Sequence, residues 1–370
     1  MSYVLLIIDP QVDFHEGGNL AVTGATKDSE NIVRLIQGKT PAKVFVSLDT
    51  HTPTHIGHPD FWSPSAPSNT IFHLERASGA IVKIQPDDPT KEQLAADTVA
   101  NHMVEYSKAY TFQEGDRVMG SDGIEYTPAP TGKGAEVDDA LKTWVLKYIA
   151  EVPSYGKGDP LIWPVHCVEG SEGHKVHPLL KSALDSLSAK GVPVEYHVKG
   201  QNEATEMYSI FKAEMPAPMD LYRGPLTPGA GSLIASPNSD EADHANLQTT
   251  FNQELYNSLM SHNLPIVVCG EALSHCVNWS TRDLNEKRKT DNPDAKIHLL
   301  EDASSMVVLP FAPDLFRPNT EAFLKYCDDN GVTRIKTDAF LAMAGGRRRK
   351  TRRNVRARKT RRNRRFSRRR

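Results

Sequence analysis

A cysteine works as a nucleophile when its surroundings help it give up a proton, and Cys276 lies where a strand gives way to a helix. Residues 266–269 form a short apolar run that reads as a buried strand, Gly270 breaks it, and from His275 the apolar spacing becomes about 3.6 residues. At such a turn the unpaired N–H groups and the positive end of the helix dipole favour thiolate over thiol, which predicts a lowered pKa for Cys276. A buried core cysteine is the competing reading of the same position. Three other strand ends carry side chains that could serve the same chemistry. Residues 3–8 are an unbroken apolar run ending in Asp9, residues 43–48 end in Asp49-Thr50-His51, and residues 192–198 end in Lys199-Gly200. An aspartate can carry a proton, and an Asp and a His two apart at a strand end face the same side, the spacing that holds a divalent metal through one oxygen and one nitrogen. Each has an ordinary counterpart: a turn-capping aspartate, a solvated histidine-rich loop, a lysine that points into solvent.

The elements that must gather these residues alternate along the chain. Helices are expected over residues 29–37, 177–189, 245–262, onward from Cys276, and over 320–329, the last placing Cys327 on a surface helix; further strands are expected over 296–300 and 332–336. Strand and helix alternation predicts an α/β fold, a doubly wound parallel sheet between helix layers. In such sheets ligands lie beyond the carboxyl ends of the strands, where Asp9, Asp49, Lys199 and the turn before Cys276 all fall.

Gly270-x-Ala272-x-x-x-Cys276-Val277 resembles the nucleophile motif of the nicotinamidase branch of the isochorismatase-like cysteine hydrolases. The family's other segments follow in order: Asp9-Pro10-Gln11-Val12-Asp13-Phe14, the Asp49 and His51 segment, Trp163-Pro164-Val165-His166, and Val198-Lys199-Gly200 followed by Glu206-Met207-Tyr208-Ser209. The resemblance implies a catalytic triad of Asp9, Lys199 and Cys276, with the lysine ammonium near the other two. It implies an oxyanion hole from the N–H groups of Ala272 and Cys276, the former presented by a cis Glu271-Ala272 peptide. It implies one divalent metal, zinc first with iron or manganese as alternatives, held by Asp49, His51 and His166, with His55 matching a further ligand of some members. Phe14 matches an aromatic that packs on the substrate ring, and Trp62 and Trp163 are further candidates to pack on it. The implied activity is hydrolysis of nicotinamide to nicotinate and ammonia, a step of NAD salvage. Sister amidases acting on carbamoyl or ureido compounds keep the triad but generally lack the metal ligands, and isochorismatases proper lack the cysteine. Glu271 departs from the family, which usually has a small or apolar residue there.

Residues 65 to about 158 are far longer than the matching connection in compact family members and read as an insertion. Helices are expected over 90–107 and 138–152, the second with Leu141, Trp144, Val145 and Tyr148 on one apolar face, and a hairpin is expected around Gly120-Ser121-Asp122-Gly123. Residues 215–239 read as irregular.

The net charge of −2 conceals a division, because residues 345–370 hold 16 of the 44 Lys and Arg and none of the 46 Asp and Glu, leaving −18 for the rest. With so few apolar residues this tail is expected to be disordered, and residues 1–344 to form the hydrolase domain. A polycation of this density is expected to bind nucleic acid or another polyanion without sequence preference, so the alternative to an enzyme is a nucleic-acid-associated scaffold. Four scattered cysteines without a CxxC pair fit a reducing compartment. No apolar run approaches the roughly 20 residues of a membrane span, and the first residues enter a strand rather than a charged leader. The expected location is intracellular, cytoplasmic or nuclear, with a homo-oligomer left open.

Overall fold

An unbroken apolar run such as residues 3–8 has to be covered on both faces, and it is. The computed structural model describes residues 2–77, 114–130, 139–155, 159–217, 249–310 and 312–343. Its main sheet has six strands in the order β10 (Val332–Ile335), β9 (Ile297–Leu300), β8 (Ile266–Gly270), β1 (Val4–Ile8), β2 (Lys43–Asp49) and β7 (Val194–Lys199), every neighbouring pair parallel. Side chains alternate between faces along a strand. Tyr3, Leu5 and Ile7 pack against α1 (Ala25–Gly38), α3 (Pro178–Ala189) and Phe340 of α7 (Thr337–Ala342). Val4, Leu6 and Ile8 pack against α4 (Gln253–Met260), α5 (Cys276–Asp291) and α6 (Arg317–Asp329). This is the doubly wound sheet expected from the alternation of elements.

Boundaries moved where a cap from elsewhere decides them. α1 begins four residues earlier than its apolar spacing predicts, because the Glu16 carboxylate accepts from Gly24 N–H and Thr26 N–H at 3.0 and 3.1 Å. α4 begins at Gln253, where the Asn252 side chain accepts from Leu255 N–H. α7 has only six residues, too few to show a period. The expectation that Cys327 lies at the surface is corrected: it is fully buried with Phe323, on the inner face of an amphipathic helix.

The insertion forms a second sheet, antiparallel, in the order β3 (Trp62–Ser63), β6 (Glu125–Pro128), β5 (Arg117–Gly120) and β4 (Phe72–Glu75). The expected hairpin is closed by Gly123 N–H donating to Gly120 O at 2.9 Å. α2 (Asp139–Glu151) lays Leu141, Trp144, Val145 and Tyr148 on this sheet, making a core of its own with Trp62, Phe72 and Tyr126. Trp144 Nε1–H donates to Ala204 O at 2.7 Å and Phe72 N–H to Pro160 O at 3.0 Å, which fastens the layer to the segments around the sheet's carboxyl edge. The helix expected over 90–107, most of 215–239 and the tail 345–370 lie outside the described residues. Among the described residues no helix is long and apolar enough to cross a membrane.

Candidate active site

The strand order β8-β1-β2-β7 places the four motif-bearing strand ends side by side. Asp49 and Lys199 are register partners, and Asp9 follows β1 beside them with φ 43°, a left-handed conformation that an aspartate adopts more readily than most residues. Lys199 Nζ lies 2.8 Å from Asp49 Oδ1, 2.9 Å from Met207 O, 3.1 Å from Asp9 Oδ2 and 3.6 Å from Cys276 Sγ. Asp9 is held from behind by Ser47, whose hydroxyl donates to Oδ1 at 2.6 Å and accepts Asp9 N–H at 2.9 Å. Gln11 clamps Asp49: its Oε1 accepts Asp49 N–H and its Nε2–H donates to Asp49 O, both at 2.7 Å.

The nucleophile turn follows β8. Gly270 has φ 111°, and a Cβ there would stand 2.1 Å from Ile8 O, so only glycine lets the turn pass this close to β1. The Glu271-Ala272 peptide is cis, as the resemblance implies. Cys276 is the first residue of α5, and Ala272 O accepts the N–H groups of His275 and Val277 at 3.0 and 3.1 Å. Neither Ala272 N–H nor Cys276 N–H donates to an acceptor among the described residues, so both remain available to an oxyanion.

The electrostatics correct one expectation. Burial pushes the Cys276 thiol well above its ordinary value; Lys199 pulls it down, but Asp9 and Asp49 push it up again. Burial outweighs the ammonium and the helix end, and the two carboxylates act in the same direction as burial, so the resting group is a thiol rather than a thiolate. Asp9 itself is raised, chiefly by burial, with Lys199 opposing. Burial alone would discharge Lys199, but Asp49, Asp9 and Cys276 hold it well above the usual lysine value. Asp49 stays well below the usual carboxylate range because His51 and Lys199 outweigh its burial.

Asp49 also faces the imidazoles. Its Oδ2 lies 3.1 Å from His51 Nε2 and 3.4 Å from His166 Nε2. The Nδ1 atoms of His51, His166 and His58 sit 3.0, 2.8 and 3.2 Å from the carbonyls of Gly200, Pro164 and Thr52. A carbonyl can only accept, so each Nδ1 carries a hydrogen; in the neutral ring Nε2 then keeps a lone pair, which a metal would take up in place of the contacts of His51 Nε2 with Asp49 and of His58 Nε2 with His166 Nδ1 at 3.3 Å. His51, His58 and His166 bring ligand atoms within 4.8 Å of one another. Three imidazoles and a carboxylate suit a borderline metal such as zinc, so this donor set fits the implied group. His55 forms a second close group with His51 and Glu206, but both its nitrogens are engaged by the backbone: Nε2–H donates to Thr205 O at 3.0 Å and Nδ1 accepts Gly57 N–H at 3.1 Å. Gly200, at φ 77°, lets the chain pass; a Cβ there would stand 2.8 Å from His51 Cε1.

Around these groups the Phe14 ring meets the His166 ring edge-on at 5.6 Å, and Trp163 stands 5.2 Å from His275 with its Nε1–H donating to Tyr208 OH at 3.0 Å. Phe14, Trp163 and Ala272 share one apolar cluster. Trp62 is not brought there: it belongs to the core of the insertion and lines, with Phe72 and Tyr148, a cleft that Glu206 and Tyr208 also border. Sequence reasoning missed His58, Ser47, Gln11 and Phe316. Ser47 had a readable signal, a hydroxyl inside the apolar run Val44-Phe45-Val46-Ser47-Leu48; Phe316, 4.6 Å from His275, had none.

No protein-family model and no curated protein sequence matches this chain. Among solved structures it is similar to a nicotinamidase/pyrazinamidase of Acinetobacter baumanii, with 18% identity and a TM-score of 0.46 over 91% of this chain and 97% of that one. The yeast nicotinamidase bound to the inhibitor nicotinaldehyde gives 14% identity and a TM-score of 0.47 over 90% and 99%. A Pyrococcus horikoshii pyrazinamidase in complex with zinc gives 13% and 0.40 over 91% and 99%.

Proposed function

We propose that the chain is a cysteine amide hydrolase that converts nicotinamide to nicotinate and ammonia. The observation that carries this reading is Lys199 Nζ placed 3.6 Å from the Cys276 sulfur and 3.1 Å from Asp9, beside two backbone N–H groups unpaired among the described residues. Asp9 takes the thiol proton as the sulfur bonds to the amide carbon, and Lys199 holds the anionic charges while that proton moves. The N–H groups of Ala272 and Cys276 receive the developing oxyanion, an interaction worth roughly 3 to 4 kcal/mol per donor. Asp9 then gives the proton to the departing ammonia as the carbon–nitrogen bond breaks, leaving a thioester. Water, surrendering a proton to Asp9, adds to that carbon; the carbon–sulfur bond breaks and the proton returns to Cys276. A divalent metal held by Asp49, His51, His58 and His166 would supply an electron-pair acceptor for a ring nitrogen and so orient the ring. Phe14 and Trp163 would bound that ring.

Ammonia release from nicotinamide and from benzamide, by the metal-loaded chain, tests this. Nicotinamide is the expected substrate, and benzamide, lacking the ring nitrogen, a poor one. Inertness toward nicotinamide would overturn the proposal.

The division of charge supports a second role in the same chain, binding of nucleic acid or another polyanion by residues 345–370. Each phosphate neutralised releases counterions, so affinity should fall steeply with salt, with a slope of about −0.9 per contact on duplex DNA. Deleting 345–370 should abolish a mobility shift and leave ammonia release unchanged. A shift that persists would place the binding in the acidic remainder.

A further inference from the structure

The turn that presents Ala272 is tied down on the side away from Cys276. Gly270 N–H donates to Ala303 O at 2.9 Å, Leu273 N–H to Ser305 O at 2.7 Å, and Val307 N–H to Ser274 Oγ at 3.1 Å, so three links join it to the segment after β9. The Glu271 side chain makes a fourth connection. It is 2% exposed and meets Asp28, 4% exposed, in the first turn of α1. The Glu271 carboxyl lies against Asp28 and Ser305, and Ser305 also lies beside Asp28 and accepts Leu273 N–H, so one serine adjoins all three elements. One oxygen of each carboxyl, Asp28 Oδ2 and Glu271 Oε2, is buried without an ordinary hydrogen-bond donor.

Two carboxylates in contact and out of water cannot both remain ionised without a cation. The other titratable groups acting on this pair are Glu16 before α1, Asp302 after β9 and Cys269 on β8, and none is cationic. The cations of α1 are engaged elsewhere: Lys27 pairs with Glu30 at 2.7 Å, and Arg34 reaches Asp302 at 4.0 Å and Asp338 at 3.3 Å. A proton between the two carboxyls satisfies both orphaned oxygens' neighbourhoods at once, the neutral acid donating to the anion.

We propose that Glu271 and Asp28 share one proton, and that this acid–carboxylate bond is a positioning device that holds the β8–α5 turn, and with it the Ala272 N–H, in place for the oxyanion. The proposal rests on the amide-hydrolase reading. Glu271 touches no reacting atom, so it acts through Ala272. Burial pushes Asp28 up to about 6, with Ser305 and Glu271 opposing; burial, then repulsion from Asp28, pushes Glu271 well above the ordinary carboxylate range. Groups whose pKa is raised on folding hold protons that the unfolded chain has lost, so the stability they confer declines as pH rises through the folded-state values. Loss of the shared proton leaves two anions that push the turn away from α1.

The test is kcat, KM and the thermal unfolding midpoint against pH, from about 6 to about 9, for the full metal-loaded chain and three variants. In the parent, kcat should fall on the alkaline side by about tenfold per pH unit once the proton is lost, with KM nearly constant. Glu271→Gln, whose amide donates a hydrogen at every pH, should keep the neutral kcat and lose that alkaline limb, and Asp28→Asn should lose it as well. Glu271→Ala should lower kcat about tenfold throughout with KM within about twofold, a fraction of what removing an oxyanion donor costs. The parent's unfolding midpoint should decline over the same pH range and that of Glu271→Gln should stay level. An alkaline limb retained in both Glu271→Gln and Asp28→Asn, or a parent kcat in Glu271→Ala, would overturn the proposal. Unfolding needs no substrate: a protein inert toward nicotinamide defeats the hydrolase reading, whereas identical unfolding profiles for parent and Glu271→Gln defeat the shared proton.

Discussion

Two buried ion pairs, one at the carboxyl edge of the main sheet and one in the inserted layer, respond to burial in opposite ways. Lys199 and Asp49, 2.8 Å apart and hydrogen-bonded, are driven further into their charged forms despite burial. Lys147 and Glu151, 4.0 Å apart along α2, move the other way: burial lowers the lysine to about 8 and raises the glutamate to about 7, with each partner only partly opposing. Water lost by a charge is replaced best by a close, well-directed partner, and the first pair is in hydrogen-bond contact while the two charges of the second stand 4.0 Å apart. Around the first pair the protein also buries Asp9, His51, His58 and His166, whereas the inserted layer buries chiefly Trp62, Phe72, Tyr126, Trp144 and Tyr148. Concentrating charge where packing alone would prefer hydrocarbon is the mark of a site built for chemistry.

That contrast predicts where activity and stability separate. Cys276→Ala should lower turnover by about four orders of magnitude or more, since it removes the attacking atom, while circular dichroism and the unfolding midpoint stay near the parent's. Parent-like turnover would dissolve the distinction between the edge and the layer. Trp144→Ala should do the reverse. Deleting a buried indole that fills the inserted core costs about 3 to 5 kcal/mol, read from denaturant unfolding, with kcat changed only severalfold.

The metal donors sharpen the boundary inside the edge itself. His58→Ala should lower bound metal, measured by elemental analysis after dialysis, with affinity reduced at least about tenfold. His55→Ala should leave the metal content and cost about 1 to 2 kcal/mol of stability, because its two nitrogens hold Thr205 O and Gly57 N–H. The opposite result would exchange their roles.

What could be read in the sequence follows the same physics. Continuous apolar runs such as 266–269 announce strands covered on both faces, and a polar residue ending one is conspicuous, so Asp9, Asp49 and Lys199 stood out and the structure gathers them. Strand order and register decide the rest. Trp62 lies only four residues beyond His58, yet it turns into the inserted core, because pairing of Trp62 with Pro128 depends on residues far along the chain. The direction of the Cys276 shift was likewise out of reach: a helix end can be read locally, but burial of the thiol beneath elements from far along the chain cannot.

Cys327 gives the smallest effect and the finest test of the comparison. It shares the apolar cluster that contains Cys276, on the same side of the sheet, but lies in that cluster with Phe323 and Val332 rather than among the carboxylates and ammonium of the sheet's edge. Burial pushes its thiol up to about 12, with Arg282 and Arg334 opposing, so it stays protonated at neutral pH and functions as a small apolar group. Cys327→Ala should therefore lose only the burial of one sulfur atom, about 1 kcal/mol, and lower the unfolding midpoint by a few degrees at most. Its kcat and KM should equal the parent's. A tenfold fall in kcat would mean that α6 supports the nucleophile through the shared cluster, and the line between packing and chemistry would have to be redrawn inside the sheet's own core.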